Sequence, residues 1–316
     1  MPRRPDFFVL GAPKCGTTSL AAWLGEHPAV FLPAIKEPHF FNTDDRQGVA
    51  TLALYEDLFR EADESCLSVG EASVWYLSSA DAARNILAYR ADARFIVMVR
   101  NPVEMAPALH AEMVLTGHEN IRDFRAAWEL QDERRRGRHL PPLVWARRRL
   151  LYGDICSHGA QLERLFSLVD PNQVLIVVLD DVAIDARREY RRILRFLGVY
   201  DDNRTDFPIH NRARTARSPR LTRLLFVLTQ LKARLGIKRG LGLWSWIANL
   251  NVIESRRDDL SEETRILLRK YFAADVDRLS RLINRDCRSW VAGGPLAPRP
   301  EAMRPALGAE ANAHPA

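Results

Sequence analysis

The chain has 316 residues, of which 47% are hydrophobic, and a formal net charge of +6. A chain of this size and composition buries a large core, which excludes an intrinsically disordered protein and predicts one large α/β domain, with or without helical additions. Its four cysteines stand far apart and form neither CxxC spacing nor Cys/His pairs, so the sequence suggests neither a zinc site nor a disulfide framework.

The N-terminal residues and the lengths of the apolar runs indicate where in the cell the protein is expected. Residues 1–6 lead directly into an apolar run, without the apolar stretch and small-residue cleavage site of a secretory signal. No later apolar run approaches the ~20 residues that a membrane span needs. We therefore expect a soluble, cytoplasmic protein.

The first predicted elements are a buried strand, a loop and a helix. An aromatic and aliphatic run at 7–10 stops at Gly11, a short loop carrying Lys14 follows, and Gly-Thr-Thr-Ser at 16–19 opens a helical pattern that ends near His27. Free N–H groups at a helix N-terminus, neighbouring hydroxyls and a lysine together favour binding of an anion such as a terminal phosphate. The stretch therefore predicts an anion-binding loop.

Later apolar runs predict a central parallel sheet flanked by helices. The further predicted strands are residues 67–71, 95–99 and 174–179, and the middle run is apolar at every position, as in a strand covered on both faces. Ligands of open α/β sheets bind at the carboxyl ends of the strands. We therefore expect Lys14, Glu71 and Arg100 to share one crevice.

Helical spacing predicts most of the remaining chain. The predicted helices span residues 17–27, 51–60, 81–89, 123–136, 152–166, 185–197 and 261–282. We expect a single domain of residues 1–292, with helical insertions at about 103–170 and 219–285. The composition of residues 293–316, rich in Ala, Pro and Gly, predicts a disordered tail.

The anion loop differs from the phosphate loop of nucleotide triphosphatases and kinases. That loop has the spacing G-x-x-x-x-G-K-[ST], with the lysine after the second glycine and a hydroxyl for magnesium. In this chain Lys14 lies before Gly16, and no clear acidic strand end that would hold a metal follows. The pattern argues against a kinase, and we expect no metal requirement.

Three segments together resemble the sulfotransferases that use 3′-phosphoadenosine 5′-phosphosulfate (PAPS). Residues 13–19, Pro-Lys-Cys-Gly-Thr-Thr-Ser, are similar to the phosphosulfate-binding loop of that family, and residues 99–104 are similar to its 3′-phosphate element. The Lys-Glu-Pro-His-Phe-Phe run at 36–41 is similar to its bacterial and glycan-modifying branches. The likeness extends over about 7–290 and implies a P-loop-like three-layer α/β fold, with PAPS as the donor co-substrate.

The resemblance also implies roles for individual residues. Lys14 would stabilise charge on the departing oxygen, Glu37 would be the catalytic base for the acceptor, and His39 would assist it or contact the acceptor. The donor would be bound by Pro13, Lys14, Cys15, Gly16, Thr17, Thr18, Ser19 and Arg100.

Simpler interpretations stay open on the acceptor side. Glu37 can form a surface ion pair with Lys36 or Arg46, and His39 can pack on Phe40. Trp75 and Tyr76 can each line the acceptor pocket, touch the adenine or belong to the core.

The family pattern is incomplete around the 3′-phosphate. The helix serine of the family falls on Ala108, which has no hydroxyl, and its usual lysine after the second strand is Ala72. A hydrogen bond to a charged group contributes ~1.5–3 kcal/mol, so Ala108 would weaken donor binding unless other residues replace that contact. The resemblance places a basic loop over the nucleotide, where the candidate phosphate ligands are Arg212, Arg214 and Arg217. A solvated basic surface is the alternative for these arginines, as it is for the cluster at 147–149.

The function predicted from these patterns is transfer of a sulfuryl group from PAPS to a hydroxyl, or less readily an amine, of a glycan, lipid or small metabolite. A polyanion-binding or nucleotide-binding protein of the same fold with weakened catalysis is the alternative, motivated by Ala108 and by ten basic residues against one acidic residue in 204–239. No nucleic-acid partner is expected. The aromatic segment 240–250 is open to core packing, a lid or peripheral membrane contact, and the oligomeric state is left open.

Overall fold

A parallel sheet of five strands lies at the centre of the computed structural model, which describes residues 3–44, 48–144, 146–210, 214–234, 251–254 and 260–297. The strands are β1 (Phe7–Gly11), β2 (Val30–Phe31), β3 (Ser68–Ala72), β4 (Arg94–Val99) and β5 (Val174–Val178). Their order is β2-β3-β1-β4-β5, and every neighbouring pair runs parallel. The predicted α/β fold with a central parallel sheet is confirmed.

The inner strands are covered on both faces. Every residue of β1 and β3 is buried, and so is β4 from Phe95 onward. Because successive side chains of a strand point to opposite faces, burial at every position requires packing on both sides of the sheet. This is the arrangement that the uninterrupted apolar run at 95–99 predicted.

The strand order reverses beside β1. The chain passes from β1 to β2 and β3 on one side, and later places β4 and β5 on the other. Such a switch point opens a crevice at the carboxyl ends of the strands. The loop of residues 12–16 leaves β1 at this point.

Helices connect and surround the strands. They are α1 (Thr17–Gly25), α2 (Leu52–Asp57), α3 (Ala82–Tyr89), α4 (Pro102–Leu115), α5 (Phe124–Glu129), α6 (Gln131–Arg135), α7 (Tyr152–Cys156), α8 (His158–Phe166), α9 (Leu179–Ile184), α10 (Ala186–Leu197), α11 (Pro219–Arg234), α12 (Glu262–Leu282) and α13 (Ser289–Ala292), with 3-10 helices at Arg147–Leu150 and Pro171–Gln173. A short antiparallel pair, β6 (Arg214–Ala216) with β7 (Val252–Glu254), lies outside the main sheet.

Two predicted helices are broken in the structure. The predicted helix 123–136 is α5 followed by α6, and the predicted helix 152–166 is α7 followed by α8. At the second break, Ser157 leaves the helical region with φ −82° and ψ 77°. The backbone N–H groups of residues 159–160 then donate to the Asp275 carboxylate, each at 2.8 Å. This carboxylate belongs to α12, so the local sequence does not reveal where α8 begins.

Two residues near the C-terminal end of the described chain contact the folded body. Leu296 is buried, and Arg285 donates a hydrogen bond to the carbonyl oxygen of Ala297 at 2.9 Å. Leu296 and Ala297 therefore contact the folded body, and the disordered tail at 293–316 stays a prediction. Residues 298–316 and the segment 240–250 lie outside the described residues. Over the described ranges, no helix has both the length and the apolar composition needed to cross a bilayer.

Candidate active site

Two glycines in the left-handed region shape the loop between β1 and α1. Gly11 has φ +126° and Gly16 has φ +88°. A Cβ on Gly11 would lie 2.3 Å from the carbonyl oxygen of Val74, so the loop accepts only glycine there without a backbone shift. Gly16 is the N-cap of α1 and supplies no side-chain oxygen to its first turn. The N–H groups of that turn are therefore placed to bind an anion.

Lys14 and Arg100 lie together at the carboxyl ends of β1 and β4. The Nζ atom of Lys14 is 3.0 Å from Oε2 of Glu112 on α4, and Arg100 donates to the carbonyl oxygen of Lys14 at 3.2 Å. Arg100 also pairs with Glu104 at 3.0 Å. The two cations and a helix N-terminus without a side-chain cap suit an anionic ligand, which would compete with the paired carboxylates of Glu104 and Glu112.

Glu71 points away from this crevice, so its predicted place there is wrong. Its carboxyl group is fully buried, and burial raises its pKa to about 7. Glu71 lies opposite Phe8 in the pairing of β3 with β1, and Tyr55 and Tyr76 are buried beside it. The alternation of side chains along β3 directs this residue into the aromatic core and not toward the strand ends.

Lys36, Glu37 and His39 form a second charged group, which contacts α1. Lys36 donates to the Thr18 hydroxyl at 2.6 Å and lies 3.4 Å from Oε1 of Glu37. The Nε2 atom of His39 lies 3.2 Å from Oε2 of Glu37. The three side chains therefore form one connected group that ends at the first turn of α1.

Backbone hydrogen bonds hold this group at the end of β3. The N–H of Glu37 donates to the carbonyl oxygen of Ala72, and the N–H of His39 donates to the Ser73 hydroxyl, each at 3.1 Å. The His39 ring is buried and edge-on to the ring of Tyr76, with centroids 6.2 Å apart. The segment is thus tied to the same strand end as the crevice.

Glu37 is ionised at neutral pH. Burial raises the pKa of its carboxyl group, but the hydrogen bond with His39 and the positive charge of Lys36 outweigh burial, so the pKa lies below its ordinary value. The ion pair with Lys36 that the simpler interpretation predicted is present. Arg46, the other predicted partner, lies outside the described residues.

One cleft of about 190 Å³ brings the two charged groups together. Its walls consist of Pro13, Lys14, Thr17, Thr18, Lys36, Glu37, Val74, Trp75, Leu109, Glu112, Met113, Thr116, His118 and Arg149. Lys14 and Glu37 therefore face the same space, as a transfer site with a cation and a base requires. Of the two aromatic residues at 75–76, Trp75 lines the cleft, while the hydroxyl of Tyr76 is buried and accepts from the N–H of Phe41 at 3.2 Å.

Cys15 and Ser19 of the predicted donor loop have buried side chains that do not line the cleft. The Cys15 thiol lies 3.6 Å from the sulfur of Met105 and 3.9 Å from Nε2 of His158, and burial raises its pKa to about 12. The Ser19 hydroxyl accepts from the N–H of His210 at 3.0 Å. These side chains anchor the loop and α1, while the first-turn hydroxyls at 17–18 face the cleft.

The residues predicted around the 3′-phosphate lie in separate elements. Ala108 is buried on α4. Arg217 is exposed, and its N–H donates to the carbonyl oxygen of Asn251 at 2.7 Å. Arg214 belongs to β6, and Arg212 lies outside the described residues. Arg100, at the end of β4, has its side chain beside the anion loop, where it donates to the carbonyl oxygen of Lys14.

Glu112 and Arg149 are among the cleft residues that were not predicted as site residues. Glu112 lies one helical turn after Ala108, so i,i+4 spacing along α4 was the signal that could have found it. Arg149 was predicted as part of a helix surface, but it is buried, with its guanidinium 4.5 Å from the centre of the Trp75 ring. No local pattern marks a contact between residues so distant in the chain.

The sulfotransferase domain model matches residues 4–212. Heparan sulfate glucosamine 3-O-sulfotransferase 3A1 of Mus musculus is 30% identical to this chain over 62% of the chain and 46% of that protein. Carbohydrate sulfotransferase 15 of Homo sapiens is 26% identical over 62% of the chain and 44% of that protein. The matches thus span less than half the length of these curated relatives.

A solved structure supports the same relation. The crystal structure of a sulfotransferase from Alicyclobacillus acidocaldarius superimposes with a TM-score of 0.68 and 26% identity, over 91% of this chain and 99% of that one. The predicted resemblance is thereby confirmed, with the anion loop and the 36–41 segment both inside the matched range. The chain belongs to the sulfotransferase domain family.

Proposed function

We propose that the protein transfers a sulfuryl group from PAPS to a hydroxyl of a glycan or a small molecule, with an amine or a lipid alcohol as less favoured acceptors. One observation carries the proposal: Lys14 and Glu37 line the same cleft, beside a helix N-terminus that has no side-chain cap. The family to which the chain belongs, and the glycan sulfotransferases among its relatives, support this assignment.

The donor would lie along the anion loop. The first-turn N–H groups of α1 and the hydroxyls of Thr17 and Thr18 would bind the 5′-phosphate, next to the ammonium group of Lys14. Arg100 would bind the 3′-phosphate from the end of β4, with Arg212, Arg214 and Arg217 as proposed contributors to the same charge. Pro13, Cys15, Gly16 and Ser19 would hold the loop in shape.

The transfer step needs a base, a positioned donor and a stabilised leaving group. The acceptor oxygen attacks sulfur in line, while the bond between sulfur and the bridging phosphate oxygen breaks. The electron pair of that bond leaves with 3′-phosphoadenosine 5′-phosphate (PAP), where Lys14 stabilises the new charge. The acceptor proton passes to the Glu37 carboxylate, and His39 holds that carboxylate in place at 3.2 Å.

A second candidate function rests on Ala108. This residue is buried where the family places a hydroxyl for the 3′-phosphate, which favours a nucleotide-binding or polyanion-binding protein with weakened catalysis. A cytoplasmic location, a peripheral membrane contact, independence of metal and the absence of a nucleic-acid partner stay predictions.

The test combines donor binding with transfer. PAP at micromolar concentration should raise the melting temperature, because a ligand that binds only the folded state stabilises it. Labelled PAPS should then transfer its sulfuryl group to members of a panel of glycans and small alcohols. Stabilisation by a sulfated polymer but not by PAP would favour the second candidate. ATP with magnesium binding as tightly as PAP would favour a kinase.

A further inference from the structure

A buried carboxyl group lies behind the segment that carries the proposed base. Glu71 on β3 is fully buried, and the hydroxyl groups of Tyr55, Ser73 and Tyr76 lie beside its carboxyl group. Within the part of the chain that the structure describes, no donor completes a hydrogen bond of ordinary geometry to either carboxyl oxygen. A buried polar group is costly unless it is hydrogen-bonded. The three neighbouring hydroxyl groups are therefore the donors that can satisfy it.

Two of these hydroxyl groups also hold the backbone next to Glu37. The Ser73 hydroxyl accepts from the N–H of His39 at 3.1 Å, and the Tyr76 hydroxyl accepts from the N–H of Phe41 at 3.2 Å. A hydroxyl that accepts through its oxygen still has its own hydrogen to donate. The Glu71 carboxyl group is an acceptor that lies beside both hydroxyls. It therefore shares them with the backbone of residues 39–41.

The backbone of this segment needs such contacts. Glu37 has φ +63° and His39 has φ +47°, in the left-handed region that residues other than glycine rarely adopt. A conformation of this kind persists where the surrounding structure determines it. The N–H of Glu37 is held by the carbonyl oxygen of Ala72, and the two hydroxyl contacts hold the residues that follow. Without the hydroxyl contacts, the segment would be free to relax away from the shape that presents Glu37 to the cleft.

We propose that Glu71 is a positioning residue for the catalytic base. Its carboxyl group orients the hydroxyls of Ser73 and Tyr76. These hydroxyls hold the backbone of residues 39–41, which in turn keeps Glu37 at the cleft. The inference rests on the proposed role of Glu37 in sulfuryl transfer. Glu71 does not line the cleft, so its replacement should change turnover and the ionisation of Glu37 but not the affinity for the donor.

Two substitutions separate the acceptor oxygen of Glu71 from its bulk. Glu71→Leu removes the acceptor at similar size, whereas Glu71→Gln keeps a side-chain oxygen that can accept from the hydroxyls. In Glu71→Leu, turnover should fall by ~10–10²-fold, a part of what a general base contributes, while the affinity for PAP stays nearly unchanged. Glu71→Gln should restore most of the turnover. Single-turnover transfer from labelled PAPS and calorimetry with PAP measure the two quantities.

The pH profile distinguishes positioning from a loss of stability. The hydrogen bond with His39 is one of the contacts that lower the pKa of Glu37. If Glu71→Leu displaces His39, the pKa of Glu37 rises, and the base form is lost at a higher pH. The acidic limb of the rate profile should therefore move to higher pH in Glu71→Leu and stay in place in Glu71→Gln.

Hydrogen exchange measures the same positioning without turnover. The N–H groups of residues 39–41 should exchange faster in Glu71→Leu, and also in Tyr76→Phe, which removes one hydroxyl and keeps the ring. The matched control is Val69→Ala, because Val69 is fully buried on the same face of β3. It should lower the melting temperature and leave both the exchange of residues 39–41 and the acidic limb unchanged.

An unmoved acidic limb in folded Glu71→Leu would overturn the inference, and so would an equal shift in Val69→Ala. A loss of PAP affinity as large as the loss of turnover would also overturn it, since Glu71 would then support the whole fold. If Glu71→Leu fails to fold, wild-type exchange and an unmoved limb in Tyr76→Phe would have the same meaning. These outcomes leave the sulfotransferase proposal standing, whereas absence of transfer by the wild-type protein would overturn both.

Discussion

The two sides of the cleft are built in different ways. Most of the proposed donor side comes from one continuous stretch, residues 11–19, in which two left-handed glycines and a helix start present backbone N–H groups, with Arg100 added from the end of β4. The proposed acceptor side is assembled from residues 36–39, Trp75 and Arg149, which are distant in the chain. A site made by backbone geometry is visible in the local sequence, whereas a site made by side-chain assembly depends on tertiary packing.

The largest expected effect is on turnover and concerns the proposed catalytic base, Glu37. The Glu37→Gln variant should lower turnover by ~10²–10⁴, since the amide cannot accept the acceptor proton. Its affinity for PAP should stay nearly unchanged, because Glu37 contacts the donor loop only through Lys36. Single-turnover transfer from labelled PAPS and calorimetry with PAP measure the two quantities.

The pH dependence provides a second measure of the same residue. Because the folded pKa of Glu37 is lowered, its base form is present at neutral pH and is lost as the pH falls through that pKa. The acidic limb of the rate profile should be present in the wild-type protein and absent from Glu37→Gln. The exposed Glu61→Gln serves as the matched control and should behave as wild type. Wild-type turnover in Glu37→Gln would instead move the base to His39.

The Lys14→Ala variant should lower both the turnover and the affinity for PAP. Loss of the ammonium group removes stabilisation of the leaving oxygen, which should lower turnover by ~10²–10³. The affinity for PAP should fall as well, because Lys14 lines the donor end of the cleft. The exposed Lys270→Ala, on α12, is the matched control for loss of a lysine charge. PAP affinity that survives in Lys14→Ala would mean that the first turn of α1 and Arg100 bind the donor without the lysine.

Ala108→Ser tests whether the donor side lacks a contact. A hydroxyl that reaches the 3′-phosphate should tighten PAP binding about tenfold, because a hydrogen bond to a charged group is gained. Adenosine 5′-phosphate lacks the 3′-phosphate, so its affinity should not change. Ala111→Ser, on the more exposed part of α4, controls for a serine in the same helix. An equal gain for both nucleotides would place the new hydroxyl elsewhere.

Features of the structure that depend on neighbouring residues were predicted from the sequence, whereas features that depend on contacts between distant residues were not. The apolar run of β4 predicted a central parallel strand because burial on both faces excludes polar residues from it. Lys14 and the helix start at residues 16–19 predicted the anion loop because a helix N-terminus presents free N–H groups and neighbouring hydroxyls. The break before α8 was missed since Asp275 caps it from α12, and Glu71 was misplaced since its face of β3 depended on register.

The groove beside the 3-10 helix Arg147–Leu150 was not predicted from the sequence for a related reason. A run of three arginines is usually a solvated surface, and only the contact of Arg149 with Trp75 turns this run into the wall of a groove. That contact joins two elements that share no local pattern. Side-chain pairs of this kind follow from the packed fold and not from spacing along the chain.

The smallest expected effect concerns the ion pair between Lys14 and Glu112. The ammonium group of Lys14 lies 3.0 Å from the Glu112 carboxylate, and the two side chains are 15% and 33% exposed. If Lys14 binds the proposed donor, the donor competes with this carboxylate for the ammonium group, and the charge of Glu112 repels a phosphosulfate. Glu112→Gln keeps the shape but removes the charge, and partly exposed pairs contribute ~0.2–1 kcal/mol. PAP affinity should therefore rise by about 1.5-fold to 5-fold at low salt.

Salt decides whether this gain is electrostatic. The gain should shrink as ionic strength increases, because screening weakens both the ion pair and the repulsion. Glu61→Gln removes a carboxylate far from the cleft and should leave PAP affinity unchanged at every salt concentration. A loss of affinity in Glu112→Gln would mean that the carboxylate orients Lys14 toward the donor and does not compete with it. The orientation of Lys14 would then depend on a side chain of α4, a helix that is distant from the anion loop in the sequence.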